Sequence, residues 1–228
     1  MSTLTTRQII GQHPWLNTDP RKRPFLRGRA YHITKRSVDL LITVALFPVL
    51  LPLLGLCALA VKIESPGGSV LFTQNRTGRN GQRFRMYKFR TMVPNAEELK
   101  QQLAHLNEFQ WPDFKIANDP RITQVGRLLR KTSLDELPQL WNVLIGDMSL
   151  VGPRPTSFSA ETYSLWHTHR LDVLPGVTGL WQIIGRGQTE FDNRLRIDIA
   201  YIERRCIWLD LKILFFTIPA VVKQRGAH

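Results

Sequence analysis

The chain is expected to fold as a mostly helical α+β domain, membrane-associated, with a re-entrant N-terminal hairpin of helix, break and helix and one small β-hairpin. Three observations predict this. Leu40 to Val61 is almost wholly apolar yet carries Pro48 and Pro52 near its middle and cations at both flanks. Residues 68 to 92 alternate around an Asn80-Gly81 turn signal, as the two strands of a hairpin do. Most of what remains has apolar residues at helical spacing.

The apolar run, taken as one straight helix, reaches about 33 Å, enough for a bilayer core of about 30 Å. Length alone therefore permits a span. Each proline, however, removes a backbone donor and crowds the preceding turn, so a sharp bend is expected there, and each arm alone is too short to cross. Arg21, Lys22, Arg23, Arg27, Arg29, Lys35 and Arg36 precede the run; Lys62, Arg76, Arg79, Arg83, Arg85, Lys88 and Arg90 follow it, opposed only by Glu64. Positive flanks stay cytoplasmic, so a hairpin that enters and leaves by the cytoplasmic face satisfies both ends. The alternatives are a signal peptide, which the late start and lack of a cleavage site disfavour, a single kinked span, and a buried helix of a soluble protein.

The remaining elements follow in order. Residues 1 to 34 read as a basic, irregular arm, 35 to 64 as the membrane element and 65 to 228 as a cytoplasmic domain. In the hairpin the second strand, through Phe84, Met86 and Lys88, carries cations. PNAEELKQQLAHLNEF predicts a helix started at Asn95 and Glu98, with Leu99, Leu103 and Leu106 on one face. NDPRITQVGRLLRK predicts another, capped by Asp119 with Pro120 in its first turn. Two Gly/Pro-rich loops, VGPRP and LPGVTGLWQIIGRG, bracket a helical stretch at 157 to 172. Thr189 to Lys223 reads as two helices, the second apolar enough to lie along a membrane interface.

Composition narrows the function. A formal charge of +13, from 31 Lys and Arg against 18 Asp and Glu, calls for a polyanionic partner: nucleic acid, anionic lipid or a phosphorylated substrate. Basic residues among Phe84, Tyr87 and Phe89 would fit nucleic acid, but the apolar segment fits it poorly. Cys57 and Cys206 have neither zinc-ligand nor disulfide spacing and read as packed thiols. His167 and His169 are spaced wrongly for metal on a helix. Neither a nucleotide-binding P-loop nor a kinase glycine loop is present.

Against this basic background TSLDELPQLWNV sets Asp135 and Glu136 side by side. One reading is a capping box, Ser133 and Glu136 bonding each other's backbone, with Asp135 merely favoured by the helix dipole. Pro138 at the helix start weakens it. Glycosidase chemistry fails, because neighbours about 100° apart on a helix cannot flank a sugar from opposite sides. Adjacent carboxylates can divide labour, one attacking or binding metal while the other handles a proton. Attack on a phosphoryl centre then needs magnesium and Arg/Lys clamps to screen anion repulsion. Lys88, Arg90, Arg130, Arg154 and Arg186 are the candidates for phosphate contacts.

KRSVDL, GSVLFTQNRTGRNG, FRMYKFRTM, LLRKTSLDELPQLWNVLIGDMSLVGPRP, LPGVTGLWQIIGRG and IERRCIWLDLKIL, in this order, resemble the bacterial sugar transferase family, the monotopic polyprenyl-phosphate phosphoglycosyl transferases. The resemblance runs from about Lys35 to about Arg225. It implies transfer of a sugar 1-phosphate from a UDP-sugar to undecaprenyl phosphate, with release of UMP, in exopolysaccharide or O-antigen assembly. It implies Asp135 as nucleophile with Mg2+ beside it, Glu136 as its proton-handling partner, and the five cations as phosphate contacts. It places the enzyme on the cytoplasmic face of the bacterial inner membrane, among anionic lipids and without nucleic acid. The Leu51-Pro52 step matches the family's membrane bend; Pro48 is an addition to it. Larger members carry transmembrane helices ahead of this domain, so the chain reads as a minimal catalytic unit. A different class of reading, a non-catalytic membrane scaffold with the dyad surviving as a helix cap, predicts that Asp135→Asn leaves function intact.

Overall fold

The computed structural model describes residues 28–108, 116, 118–162, 165–184 and 191–222. The long helix α1 runs unbroken from Gly28 to Glu64, with Pro48 and Pro52 inside it. It begins earlier than the sequence led one to expect: residues 28 to 34, assigned to the arm, are its first turns. The prolines do not interrupt it. At about 1.5 Å per residue its 37 residues extend some 55 Å.

One stripe of α1 packs on the domain along the whole length. Tyr31, Asp39 and Thr43 are buried near its start, and Cys57 and Val61 near its end. Ile42, Phe47 and Leu50 bridge to the main core, and Leu53, Leu54 and Ala58 to a smaller one. The opposite side exposes Leu41, Val44, Val49, Leu56, Leu59 and Ile63. So large an apolar face left uncovered marks an interaction surface rather than a soluble exterior.

The hairpin forms as expected. Strands β1 (Leu71–Thr77) and β2 (Arg83–Phe89) pair antiparallel, from Leu71 opposite Phe89 to Thr77 opposite Arg83. Asn80 and Gly81 both take positive φ at the tip, which is why that dipeptide sits there. Helix α2 (Ala96–Gln102) is shorter than its leucine pattern predicts, passing into a 3-10 turn at Ala104–Leu106.

Helix α3 (Gln124–Thr132) starts at Thr123, not Asp119. The Thr123 hydroxyl accepts from the Gly126 amide at 3.0 Å. The Asp119 carboxylate is instead held by the Arg121 guanidinium, 2.9 Å at Nε and 2.6 Å at Nη2, in a buried pair. Two residues apart, that bidentate bond outcompetes an amide cap. Gly126 is required where α3 crosses Thr91, because a Cβ there would lie 2.1 Å from the Thr91 carbonyl oxygen.

A 3-10 turn, Leu134–Glu136, leads to α4 (Gln139–Ile145). A second sheet that the sequence did not disclose sets β3 (Ser149–Val151), which leads into the first Gly/Pro loop, parallel to β4 (Gly176–Thr178) within the second. Three residues each are too few for a readable alternation. Among the described residues of 157 to 172 the structure has 3-10 segments, Ala160–Thr162 and Leu165–Asp172, in place of the expected helix. Helices α5 (Leu180–Ile184), α6 (Phe191–Arg204) and α7 (Ile207–Val222) complete the fold, the last two as read. Met148, Val151, Leu209 and Ile213 centre the main core; Cys206 joins it and Cys57 the smaller one, both as free buried thiols.

Both ends of α1 engage helix termini. Arg36 donates to the Val143 and Leu144 carbonyls in the last turn of α4. Glu64 accepts from the Gln124 and Val125 amides in the first turn of α3, at 2.8 and 3.1 Å. A cation meets a C-terminus and an anion an N-terminus, as the helix dipoles favour. The segment α3, turn, α4 is thereby held at both outer ends by one helix.

Candidate active site

The turn between those ends carries the carboxylate pair. Ser133, in the left-handed conformation (φ 59°), terminates α3, and its side chain makes no capping bond. The capping-box alternative is therefore not what holds this turn. Glu136 turns away from Ser133 and toward cations from two other elements.

Lys88 on β2 donates to Glu136 Oε1 at 2.9 Å. Arg154, just after β3, grips both oxygens of Glu136 in a fork, with Nη1 to Oε2 at 3.0 Å and Nη2 to Oε1. Burial alone would raise the Glu136 pKa, but Arg154 and Lys88 outweigh it and hold the carboxyl far below its usual range. Conversely, Glu136 raises the Arg154 pKa against burial. Burial lowers that of Lys88 more than Glu136 raises it.

Asp135 is handled differently. It is buried at 8% exposure, and its one ionic partner among the described residues is Lys88, 4.0 Å from Oδ2. Burial pushes its pKa up, only partly countered by Lys88. It faces a cleft of about 420 Å³.

Of the other predicted cations, Arg130 lines this cleft, its Nε donating to Thr91 Oγ1 at 2.9 Å. Burial lowers the Arg130 pKa, and attraction to Asp135 opposes that. Arg90 also lines the cleft, although its guanidinium is spent on Ser69, 2.7 Å to both the carbonyl and the hydroxyl. Arg186 lies outside the described residues. Pro48 and Pro52 sit in α1 and do not line the cleft. The site thus draws Asp135, Glu136, Lys88, Arg90, Arg130 and Arg154 together from four stretches of chain. An adjoining chamber of about 810 Å³ shares Arg76, Arg130, Arg154 and Trp181 as walls and adds Arg170 and Asp198.

Several positioning residues were not singled out from sequence. Asn142, fully buried on α4, accepts from the Tyr87 amide at 3.1 Å and donates to the Arg85 carbonyl at 2.7 Å. It fixes α4 to the strand that carries Lys88. Arg170 donates to the Arg154 carbonyl and, at 2.8 Å, to Asp198 Oδ2. Burial pushes Asp198 up to about 7 despite Arg170. A polar residue within an apolar stretch, Asn142 in QLWNVLI or Asp198 in IDIAYI, was the available signal.

Fold and site together define a mostly helical domain with a long exposed apolar helix and a cationic cleft holding one clamped and one unclamped carboxylate. The chain belongs to the bacterial sugar transferase family, whose model matches residues 30–224. It is 46% identical over 197 residues to a galactosyl transferase, CpsE, of Streptococcus agalactiae, covering 86% of this chain and 43% of that protein. It is 44% identical to the undecaprenyl-phosphate galactose phosphotransferase of Salmonella typhimurium, covering 89% and 43%. It is 41% identical to the exopolysaccharide production protein ExoY of Rhizobium meliloti, covering 86% and 88%. The chain thus spans less than half the length of the first two relatives and most of the third.

Proposed function

We propose that the chain transfers a sugar 1-phosphate from a UDP-sugar to undecaprenyl phosphate, releasing UMP, through a phosphosugar bound to Asp135. The observation that carries this is the asymmetry of the pair: Glu136 is clamped by Lys88 and Arg154, whereas Asp135 faces the cleft with one distant cation. An attacking carboxylate needs an uncommitted oxygen, and Asp135 has one. The activities for which the Salmonella relative and the UDP-glucose:undecaprenyl-phosphate glucose-1-phosphate transferase of Caulobacter vibrioides, 41% identical, are named support it.

In the first step an Asp135 oxygen attacks the sugar-bearing phosphorus, and the bond to the bridging oxygen breaks, that oxygen leaving with UMP. In the second an oxygen of undecaprenyl phosphate attacks the same phosphorus and the Asp135 carboxylate departs. Arg130, Arg154 and Lys88 stand where the phosphoryl oxygens gather charge, as does Arg90 if it leaves Ser69; Arg186 belongs to the same group by family position. Glu136, ionised and clamped, first serves to hold Lys88 and Arg154. Once these turn to substrate phosphate, its pKa rises and it accepts a proton from the attacking lipid phosphate.

The donor set suits Mg2+, which binds through one or two carboxylates and completes its shell with water and substrate phosphate. Among the described residues no three His, Cys, Asp or Glu form an all-protein cage, and Asp135 is the buried carboxylate with a free oxygen at the cleft, Glu97 on its wall being solvent-exposed. Bound there, Mg2+ screens the carboxylate from the diphosphate.

Membrane placement follows from α1. A helix packed on its own domain from Tyr31 to Val61 is not free to cross a bilayer at right angles to it. We read its apolar face as lying in the membrane with both basic ends on the cytoplasmic side, the side a re-entrant element would share, while the helix itself stays unbroken through Pro48 and Pro52. The face would be the cytoplasmic one of the inner membrane, where anionic lipids attract a chain of charge +13.

The test is UMP release from a panel of UDP-sugars with undecaprenyl phosphate and Mg2+, in membrane-reconstituted protein. UMP formation that requires Asp135, and that passes one equivalent per protein only when the lipid is present, is the expected result. Equal UMP release by Asp135→Asn would sink Asp135 as the nucleophile, and no UMP from any donor would leave the scaffold.

A further inference from the structure

A second pocket, of about 240 Å³, lies between the starts of α1 and α7 and shares no lining residue with the cleft or its adjoining chamber. His32, Arg79 and Arg205 rim it, while Val173 and Leu174 contribute apolar wall. Neither arginine has a carboxylate within ion-pair distance among the described residues; Arg205 makes only a 3.4 Å bond to the Ile202 carbonyl. Asp39, the one acid in the lining, is already bonded by Lys35 at 2.9 Å and by Ser149 at 2.7 Å. The His32 pKa is lowered by burial and then by Arg205 and Arg79, and all three basic groups line the one pocket.

The surroundings specify the anion. The apolar exterior of α1 begins beside the pocket at Ile33, 59% exposed, and that of α7 at Trp208, 62% exposed. Lys35, within hydrogen-bond distance of Asp39 and 3.3 Å from Asp210, ties the two helix starts together. Convergent cations thus sit where two apolar helix faces start, which is the geometry of a phosphate at a lipid interface.

We propose that this pocket holds the phosphate of an anionic phospholipid headgroup between Arg79, Arg205 and His32, with the acyl chains along the exposed faces of α1 and α7. The site rests on the membrane placement above and is independent of the transfer chemistry. It gives the protein a fixed lipid contact that shares no residue with the carboxylate cleft.

The test uses the full chain in detergent, titrated with dihexanoyl phosphatidylglycerol, dihexanoyl phosphatidylcholine and inorganic phosphate, and read by calorimetry. One equivalent of the phosphatidylglycerol is expected, with affinity at least about tenfold weaker in Arg79→Gln/Arg205→Gln, the loss of two charge-assisted contacts. Arg79→Lys/Arg205→Lys should recover most of it. Unchanged UMP release by the Gln variant in detergent shows that it is folded. Equal binding by wild type and the Gln variant overturns the site. Equal affinity for inorganic phosphate makes it a free-anion site, and equal affinity for phosphatidylcholine removes charge selection; each also overturns the proposal. A chain that fails to float with anionic vesicles removes the membrane placement and this site together, while leaving UMP release in detergent untouched.

Discussion

Two lysines in this molecule each serve two carboxylates, and they do so to opposite ends. Lys35 lies 2.9 Å from Asp39 and 3.3 Å from Asp210. Ser149 completes Asp39, and Tyr201 completes Asp210 with a 2.7 Å bond. Every acid there is saturated. Lys88 lies 2.9 Å from Glu136 and 4.0 Å from Asp135, and only Glu136 receives further partners. Both clusters are buried and both pair acids with a lysine, so neither burial nor charge pairing distinguishes them. What marks the second is one carboxylate left short of donors, which costs stability unless a ligand supplies them.

Asp135→Asn is the largest test of this contrast. It should lower UMP release by at least about 10³-fold, as loss of a nucleophile does, with the thermal midpoint little changed. Lys35→Met should do the reverse: about 3 kcal/mol of stability lost by denaturant unfolding, since two buried acids lose their cation, with turnover per folded molecule retained. If Lys35→Met instead abolished turnover in folded protein, the clusters would not be separable in this way.

A smaller effect sharpens the comparison through pH. Asp135 has a raised pKa, so its reactive ionised form is lost as pH falls through a value above that of a free aspartate. Lys88 opposes the rise, so Lys88→Met should move the acid limb of the rate profile to higher pH. Glu136 has a depressed pKa, and its stability contribution is present above the ordinary glutamate value of about 4.3 and lost as pH falls below it. Chemical denaturation at stepped pH should show that loss, smaller in Arg154→Lys.

The smallest test concerns the turn itself. Thr123→Ala should cost about 1 kcal/mol, because that hydroxyl caps α3. Ser133→Ala should change stability by less than about 0.5 kcal/mol, because its hydroxyl caps nothing. A larger effect at Ser133 would revive the capping box.

The hairpin, the two C-terminal helices and the apolar face of α1 were legible because each repeats a local pattern over many residues. The cap of α3 was misread because Asp119 and Thr123 are both acceptable by type, and only the bidentate Arg121 decides between them. The parallel pair β3–β4 was hidden because three-residue strands carry no period and their partners lie far apart in sequence. In the site, the residue types and the turn were readable, as was the cationic background. The division of partners between Asp135 and Glu136 was not, since it depends on Arg154 arriving from beyond β3 and on Asn142 setting the register of α4 against β2.

The anchoring of α3 and α4 by Glu64 and Arg36 makes α1 a ruler. The helix that presents the apolar face also fixes the elevation of the turn above the plane in which that face rests. The lipid-borne acceptor proposed above, confined to the same plane, would then need no vertical search. It would find the carboxylate by lateral diffusion alone, the encounter being reduced from three dimensions to two.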